Sequence, residues 1–386
     1  MSATRLAFES LRWLTGVWLL WRIPRCRPGR GDPEAAAGTS VIVPARDEEA
    51  TLPRLLASLA EQEPPPGEIL VVDDHSADAT PTVARRAGAT VVTAPPLPAG
   101  WTGKAWACWT GARSAGGRTL VFLDADTTLD PGGLAALLDE HQRRGGLVSA
   151  APDHVTERPY EQLSAFFNVV AMMGLDAFDP LRRRRAPRGA FGPCLVTTVD
   201  DYTAVGGHRA VRGKVVEDVA LARRYTAAGR RLTCLGGRGA VRIRMYPAGP
   251  SQLVEGWTKN FAGGAGAARP TTFLLVSIWL SGCISAPWYL AMAGSGRGAL
   301  AGPAAGGLYA AYAIQLAWML GRIGRFRRAT AAAYPVPLAF FLAVFAGSLV
   351  LTHVRGMVTW RGRSIATRPP PTTRPEPAPE EQGATG

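Results

Sequence analysis

Four acidic pairs are the residues of this chain best suited to chemistry: Asp47/Glu48, Asp73/Asp74, Asp124/Asp126 and Glu217/Asp218. Asp124 and Asp126, spaced by two at the end of a strand, point the same way and make an oxygen-rich site for a hard divalent cation. An isolated Asp-x-Asp is more often a solvated turn, and Glu217 and Asp218 in the first turn of a helix also complement its macrodipole. The joint pattern is more specific than any one pair.

The elements that carry these pairs read as an α/β domain. Ser40–Pro44 is a short apolar strand running into the polar loop Ala45–Glu49. Leu52, Leu55, Leu56 and Leu59 have helical spacing, and Glu68–Val72 is a second strand that ends at Asp73. A helix over 81–87 and a strand over 89–93 follow. This alternation predicts a parallel sheet with right-handed crossovers. Leu120–Leu123 is another strand, delivering Asp124 and Asp126 to the carboxyl edge, where ligands of open α/β sheets collect. Between them, Gly100-Trp-Thr-Gly-Lys104 leads into a helix whose N–H groups, with Lys104, suit an anion. Further helices are expected over 132–144, 159–173, 217–228 and 252–261, and strands over 147–150, 192–197 and up to Tyr246.

Composition sets the surroundings. Hydrophobic residues make up 47% and charged residues 19%, with a net charge of +13. The apolar excess lies after residue 270. Stretches 271–293, 298–320 and 334–354 approach or exceed the ~20 residues of a membrane-spanning helix and are expected to cross as three transmembrane helices. Arg322, Arg325, Arg327 and Arg328 place the loop between the last two on the cytoplasmic side, while Arg355, Arg361, Arg363 and Arg368 leave the side of the C-terminus open. Residues 1–22, with apolar Trp13–Trp21, are expected to form an interfacial helix rather than a span. Residues 28–38 read as a linker and 367–386 as a disordered tail. The run Arg182–Arg185 with Arg188 suits phosphate or acidic head groups, or simply solvent. Five scattered cysteines without a Cys-x-x-Cys offer neither a zinc site nor a disulfide framework. The positive charge lacks the aromatic interleaving of a nucleic-acid surface, so no nucleic-acid partner is expected.

The segments SVIVPARDEE, ILVVDDHS, VFLDADT and VEDVALARR resemble, in order, the family-2 glycosyltransferases with the A-type glycosyltransferase fold, over roughly residues 39–265. GWTGKAWAC, VGGHRAVRGKVVEDVALA and RMYPAG…EGWTKNF are similar to a membrane-bound subgroup that includes carotenoid- and hopanoid-associated enzymes. The resemblance implies a Rossmann-like, mostly parallel sheet followed by apolar helices, and transfer of one sugar from a nucleotide-sugar donor to a lipid-like acceptor at the cytoplasmic membrane face. It implies that Pro44, Ala45 and Glu48 hold the base and ribose, that Asp74 reads the base, and that Asp124 lies near the ribose or sugar. Asp126 is then the ligand of Mg2+ or Mn2+, Asp218 the catalytic base with Glu217 beside it, and Lys104 a neighbour of the donor phosphate or sugar. Arg244 and Trp257 fall where the family closes over diphosphate and acceptor. Phe166, Phe167, Met172 and Met173 suit either an acceptor groove or a core.

Two departures qualify the resemblance. Processive synthases carry Gln-x-x-Arg-Trp, whereas this chain has Gln252-Leu-Val-Glu-Gly-Trp257, which favours single transfer over polymerisation. The Asn common in the first loop is Asp47 here. The competing readings are a processive polysaccharide synthase and a catalytically inactive, membrane-tethered nucleotide-sugar-binding protein.

Overall fold

A computed structural model describes residues 3–351, except 183, 215, 265–267 and 297–299, together with strands 357–360 and 363–366. The expected tail at 367–386, Arg183 of the basic run, and Arg355, Arg361 and Arg368 lie outside the described residues.

The strands are β1 Thr39–Ala45, β2 Glu68–Asp73, β3 Thr90–Thr93, β4 Thr119–Leu123, β5 Thr127–Leu129, β6 Leu147–Ala151, β7 Asp153–His154, β8 Cys194–Thr198, β9 Leu232–Gly236 and β10 Val241–Ile243, followed by the hairpin β11 Met357–Trp360 and β12 Arg363–Ala366. The main sheet has the order β3-β2-β1-β4-β8-β6-β9. Its left half, β3 to β4, is parallel, as the sequence predicts. The strand expected over 192–197 forms as β8 but runs antiparallel to both β4 and β6. It thereby brings Gly192 and Pro193 alongside the end of β4. A small second sheet, β5-β10-β7, caps the carboxyl edge.

Alternation explains why the strands are buried on both faces. Val41, Val43, Val71, Val121 and Leu123 pack on one side, with the helices Leu52–Ala60 and Gly133–Arg144. Ile42, Leu70, Val72, Leu120 and Phe122 pack on the other, with Gly103–Ser114 and Glu217–Ala227. Apolar side chains at every position are what a two-sided parallel sheet requires. The edge strand β9 is not anticipated by the sequence, because Leu232–Gly236 is short and flanked by arginines.

A third apolar cluster joins the domain to the helices that follow it. The segment expected as one helix over 159–173 is a 3-10 turn, Pro159–Ser164, then the helix Ala165–Gly174. Phe166, Phe167, Met172 and Met173 are buried there against Trp279, Leu316 and Phe341. They are core, not an open groove. The apolar stretches form the helices Pro270–Gly294, Gly302–Ile323 and Pro335–Val350. Among the described residues only Pro270–Gly294, with 25 residues, is both long and apolar enough to cross a membrane. Pro335–Val350 is apolar but has 16 residues.

The N-terminal segment is more integrated than an interfacial helix. Ala3–Leu19 lies along Pro270–Gly294. Trp13 donates through Nε1 to the Ala311 carbonyl at 3.0 Å, and Gln315 Nε2 donates to the Trp13 carbonyl at 2.7 Å. Trp279 Nε1 donates to Gln315 Oε1 at 2.8 Å. These bonds satisfy polar groups in an apolar setting, where leaving one unmet costs ~1–3 kcal/mol. Phe8, Leu11, Leu14 and Trp18 remain exposed on the outer side. The stretch read as a linker holds a short helix, Pro33–Ala37, capped by Asp32.

Candidate active site

Five of the sequence-predicted residues meet in one small cavity: Pro44, Lys104, Asp124, Glu217 and Asp218 line it, with Cys108, Phe122, Gly192, Leu195 and His208. Topology brings them together. Pro44 ends β1, Asp124 ends β4, Lys104 starts the helix beneath them, and Glu217 and Asp218 open the helix Glu217–Ala227.

Lys104 is the electrostatic centre. Its Nζ lies 2.7 Å from Asp124 Oδ1 and 2.9 Å from Oδ2, and 3.3 Å from Glu217 Oε1. Burial alone would lower its pKa, but the two carboxylates outweigh burial and hold the ammonium well above its ordinary range. Burial likewise pushes Glu217 up, yet Lys104 and Lys259 together hold it below the usual carboxylate range. Asp218 goes the other way. Burial, reinforced by the negative charge of Glu217, pushes it up to about 7 against the pull of Lys104. The backbone N–H of Gly192 donates to Asp218 Oδ2 at 2.8 Å, and that of Val219 to Oδ1 at 2.8 Å. Two adjacent carboxyls are thus shifted in opposite directions, Glu217 down by the lysines and Asp218 up by burial and the Glu217 charge.

The remaining predicted residues flank this cavity or leave it. The loops after β1 and β2 are laced together: Asp47 Oδ1 accepts from Ala77 N at 2.7 Å, and Asp47 N donates to Ser76 Oγ at 3.0 Å. Glu48 N donates to Thr80 Oγ1 at 2.8 Å. Asp74 N donates to the Ala45 carbonyl at 2.9 Å, and the Asp74 side chain is buried beside Arg46, its carboxyl raised by that burial. Asp126 sits in the turn between β4 and β5; its carbonyl accepts from Arg244 N at 3.4 Å.

Arg244 and Trp257 do not line the cavity. The Arg244 guanidinium is taken by Glu161, with Nη2 at 2.7 Å from Oε1, and by Glu157, with Nη1 at 2.6 Å from Oε2. Trp257 is buried, stacked on Phe167 at 4.8 Å, and its Nε1 donates to Ser164 Oγ at 3.1 Å. Here the Arg244 guanidinium is paired with carboxylates and the Trp257 indole is packed in the core, and neither is brought to the cavity that gathers the other five.

Sequence reasoning missed three contributors. Gly192 supplies the amide that holds Asp218, and only the antiparallel β8 brings it there. Lys259, two residues past Trp257, stands in the field of Glu217, which offsets the lowering of its ammonium pKa by burial. His208 lines the cavity although its Gly-Gly-His setting reads as a turn. The period of the helix Pro250–Gly264 could have flagged Lys259, since it lies away from the buried Leu253 and Trp257.

An open, mostly parallel α/β sheet with carboxylates gathered at its carboxyl edge defines the A-type glycosyltransferase fold. Residues 40–187 match the family model for glycosyl transferase family 2. The chain is 36% identical over 331 residues to the 4,4'-diaponeurosporenoate glycosyltransferase of Staphylococcus aureus strain MRSA252, covering 85% of this chain and 88% of that protein. It is 35% identical to the same-named protein of strain USA300, with the same coverage. Among solved structures, a mannosyltransferase from Pyrobaculum calidifontis in complex with GDP-Man and Mn2+ aligns at a TM-score of 0.50 and 21% identity, covering 90% of this chain and 96% of that one. The chain belongs to glycosyl transferase family 2, and it is a glycosyltransferase.

Proposed function

We propose that the chain transfers one sugar, with inversion, from a nucleotide-sugar donor to a carotenoid-type, lipid-like acceptor at the cytoplasmic face of a membrane. The observation that carries this reading is the convergence of Lys104, Asp124, Glu217 and Asp218, drawn from three separate elements, on one cavity. The relatives' printed name supports a polyene carboxylate as the acceptor class. The long apolar helix Pro270–Gly294 and the exposed outer faces of its neighbours support a lipid setting; the finer arrangement of three crossings is part of the proposal.

In this reading Asp218 faces the acceptor group. A hydroxyl nucleophile would give up its proton to Asp218 as it attacks the anomeric carbon and the sugar–phosphate bond breaks, so the nucleoside diphosphate leaves from the opposite face. A carboxylate acceptor is already ionised, and Asp218 then positions rather than deprotonates it. Lys104 stabilises negative charge on the departing diphosphate. The negative charge of Glu217 raises the proton affinity of Asp218.

The donor set fits a divalent cation. Asp124 already cradles a positive charge, the Lys104 ammonium, between its two oxygens, and Asp126 presents a second hard carboxylate two residues on. Asp126, with Asp124 beside it, would hold Mg2+ or Mn2+. When bound, the ion supplies Lewis-acid neutralisation of the leaving group.

The test is turnover in detergent or nanodiscs with UDP-glucose or GDP-mannose, a carotenoid carboxylate and Mn2+. Release of nucleoside diphosphate together with a glycosylated lipid by mass spectrometry is expected, abolished by EDTA and restored by Mn2+. No release, or release and metal response unchanged in Asp126→Ala, overturns the reading.

A further inference from the structure

His208 and Tyr202 are joined by two hydrogen bonds. The His208 backbone N–H donates to Tyr202 Oη at 3.0 Å, and the same Oη lies 2.8 Å from His208 Nδ1. The bond to Nδ1 runs in either direction with the ring tautomer; with the Tyr202 hydroxyl as donor, Nδ1 accepts while the oxygen receives the amide. In that arrangement the imidazole proton resides on Nε2. Phe122 meets the ring edge-on at 5.1 Å and fixes its plane. Burial holds the ring neutral, pushing its pKa down to about 4 despite the attraction of Glu217. In that tautomer the cavity, whose lining also includes three carboxylates, the Lys104 ammonium and apolar side chains, contains a neutral N–H donor. Neutrality matters here. A cationic donor would be drawn onto Glu217 and would lower the proton affinity of Asp218, whereas a neutral imidazole binds an oxygen without disturbing either carboxyl.

We propose that His208 is a substrate-binding residue whose Nε2–H donates to an oxygen lone pair of the reacting pair, on either the donor sugar or the attacking acceptor group, with Tyr202 as its positioning residue. The proposal rests on the reading of this cavity as the transfer site.

The experiment compares wild type with His208→Gln, His208→Ala and Tyr202→Phe, using UDP-glucose or GDP-mannose, whichever the wild type consumes, and the matching deoxy-sugar nucleotides. Gln carries an amide N–H close to the position of Nε2 and is expected to retain most activity. Ala is expected to lose about tenfold in kcat/KM, the worth of one neutral hydrogen bond. If the partner is a sugar hydroxyl, one deoxy donor is penalised in wild type and not in His208→Ala, and binding of the nucleotide sugar weakens while binding of the free nucleoside diphosphate does not. If the partner is on the acceptor, every deoxy donor keeps its penalty and the acceptor KM rises instead. Tyr202→Phe frees the tautomer, so the 15N shifts of the ring nitrogens move and kcat/KM falls between wild type and His208→Ala. Folded His208→Ala with every KM and kcat within twofold of wild type overturns the proposal, as does Gln performing no better than Ala. Absence of turnover in wild type with any donor overturns the transfer reading itself.

Discussion

At the scale of single residues, the site depends on two neighbouring carboxyls made unlike. Asp218→Asn should lower turnover by roughly 10²–10⁴-fold if the acceptor is a hydroxyl, and much less if it is a carboxylate. The wild-type rate should rise with pH through about 7 in the first case, because the base must be unprotonated. Lys104→Gln removes a positive charge that holds Asp218 down, so the rising limb should move to higher pH; a limb that stays put would show that Lys104 is too distant to matter. The linkage has a definite sign. The Asp218 carboxyl is raised in the folded protein, so its contribution favours folding at acid pH and is lost as pH rises through about 7. Asp218→Asn should therefore gain in thermal stability over wild type as pH increases, even while inactive. The paired acids and Lys104 are legible in the sequence because strand ends announce themselves. His208 is not, since its meaning comes from side-chain contacts with Tyr202, six residues away, and with Phe122 on β4.

At the scale of elements, the site is assembled by turns and by one reversed strand. Antiparallel β8 carries Gly192 to Asp218, and a Cβ there would lie 2.8 Å from Asp218 Oδ2. Gly192→Ala should displace that carboxyl and cost on the order of 10²-fold in kcat, with little change in melting temperature; a fully active variant would sever the amide–carboxylate link. The Asp47 departure also becomes intelligible here. Asp47 adopts φ 53° and its Oδ1 receives the Ala77 amide, a post that Asn fills equally well, since both tolerate the left-handed region. Asp47→Asn should leave donor KM within about twofold, whereas Asp47→Val should weaken donor binding through strain of roughly 1–3 kcal/mol. Continuous short apolar runs made β1, β2 and β4 readable. The direction of β8 and the existence of β9 depend on pairing partners, which no local pattern encodes.

At the scale of the whole molecule, the catalytic sheet and the apolar helices form one body. The turn after Gly302–Ile323 is sewn to β7 and its surroundings: Arg325 N donates to the His154 carbonyl at 2.7 Å, Phe326 stacks on His154 at 5.4 Å, and Arg327 N donates to Gln162 Oε1 at 3.1 Å. The helices themselves are close. A Cβ on Gly282 would fall 1.8 Å from Tyr312 Oη, so Gly282→Leu should force the helices apart, and loss of detergent-resistant, folded protein by size-exclusion chromatography is the expected outcome. Removing residues 1–22 strips partners from Gln315 and exposes Trp279, and should do the same. Hydrophobic runs gave away the helices at 270–350, but their mutual packing and the inclusion of Ala3–Leu19 rest on polar contacts such as Trp13 to Ala311 that composition conceals.

The stitched turn at Gly324–Arg327 has a geometric corollary. If those helices are embedded in lipid, the hydrogen bonds of this turn hold the catalytic floor at a set height above the bilayer. The enzyme then acts as a depth gauge: a long-chain acceptor is selected by how far its reactive end protrudes from the membrane, while the length of tail left in the oil is immaterial.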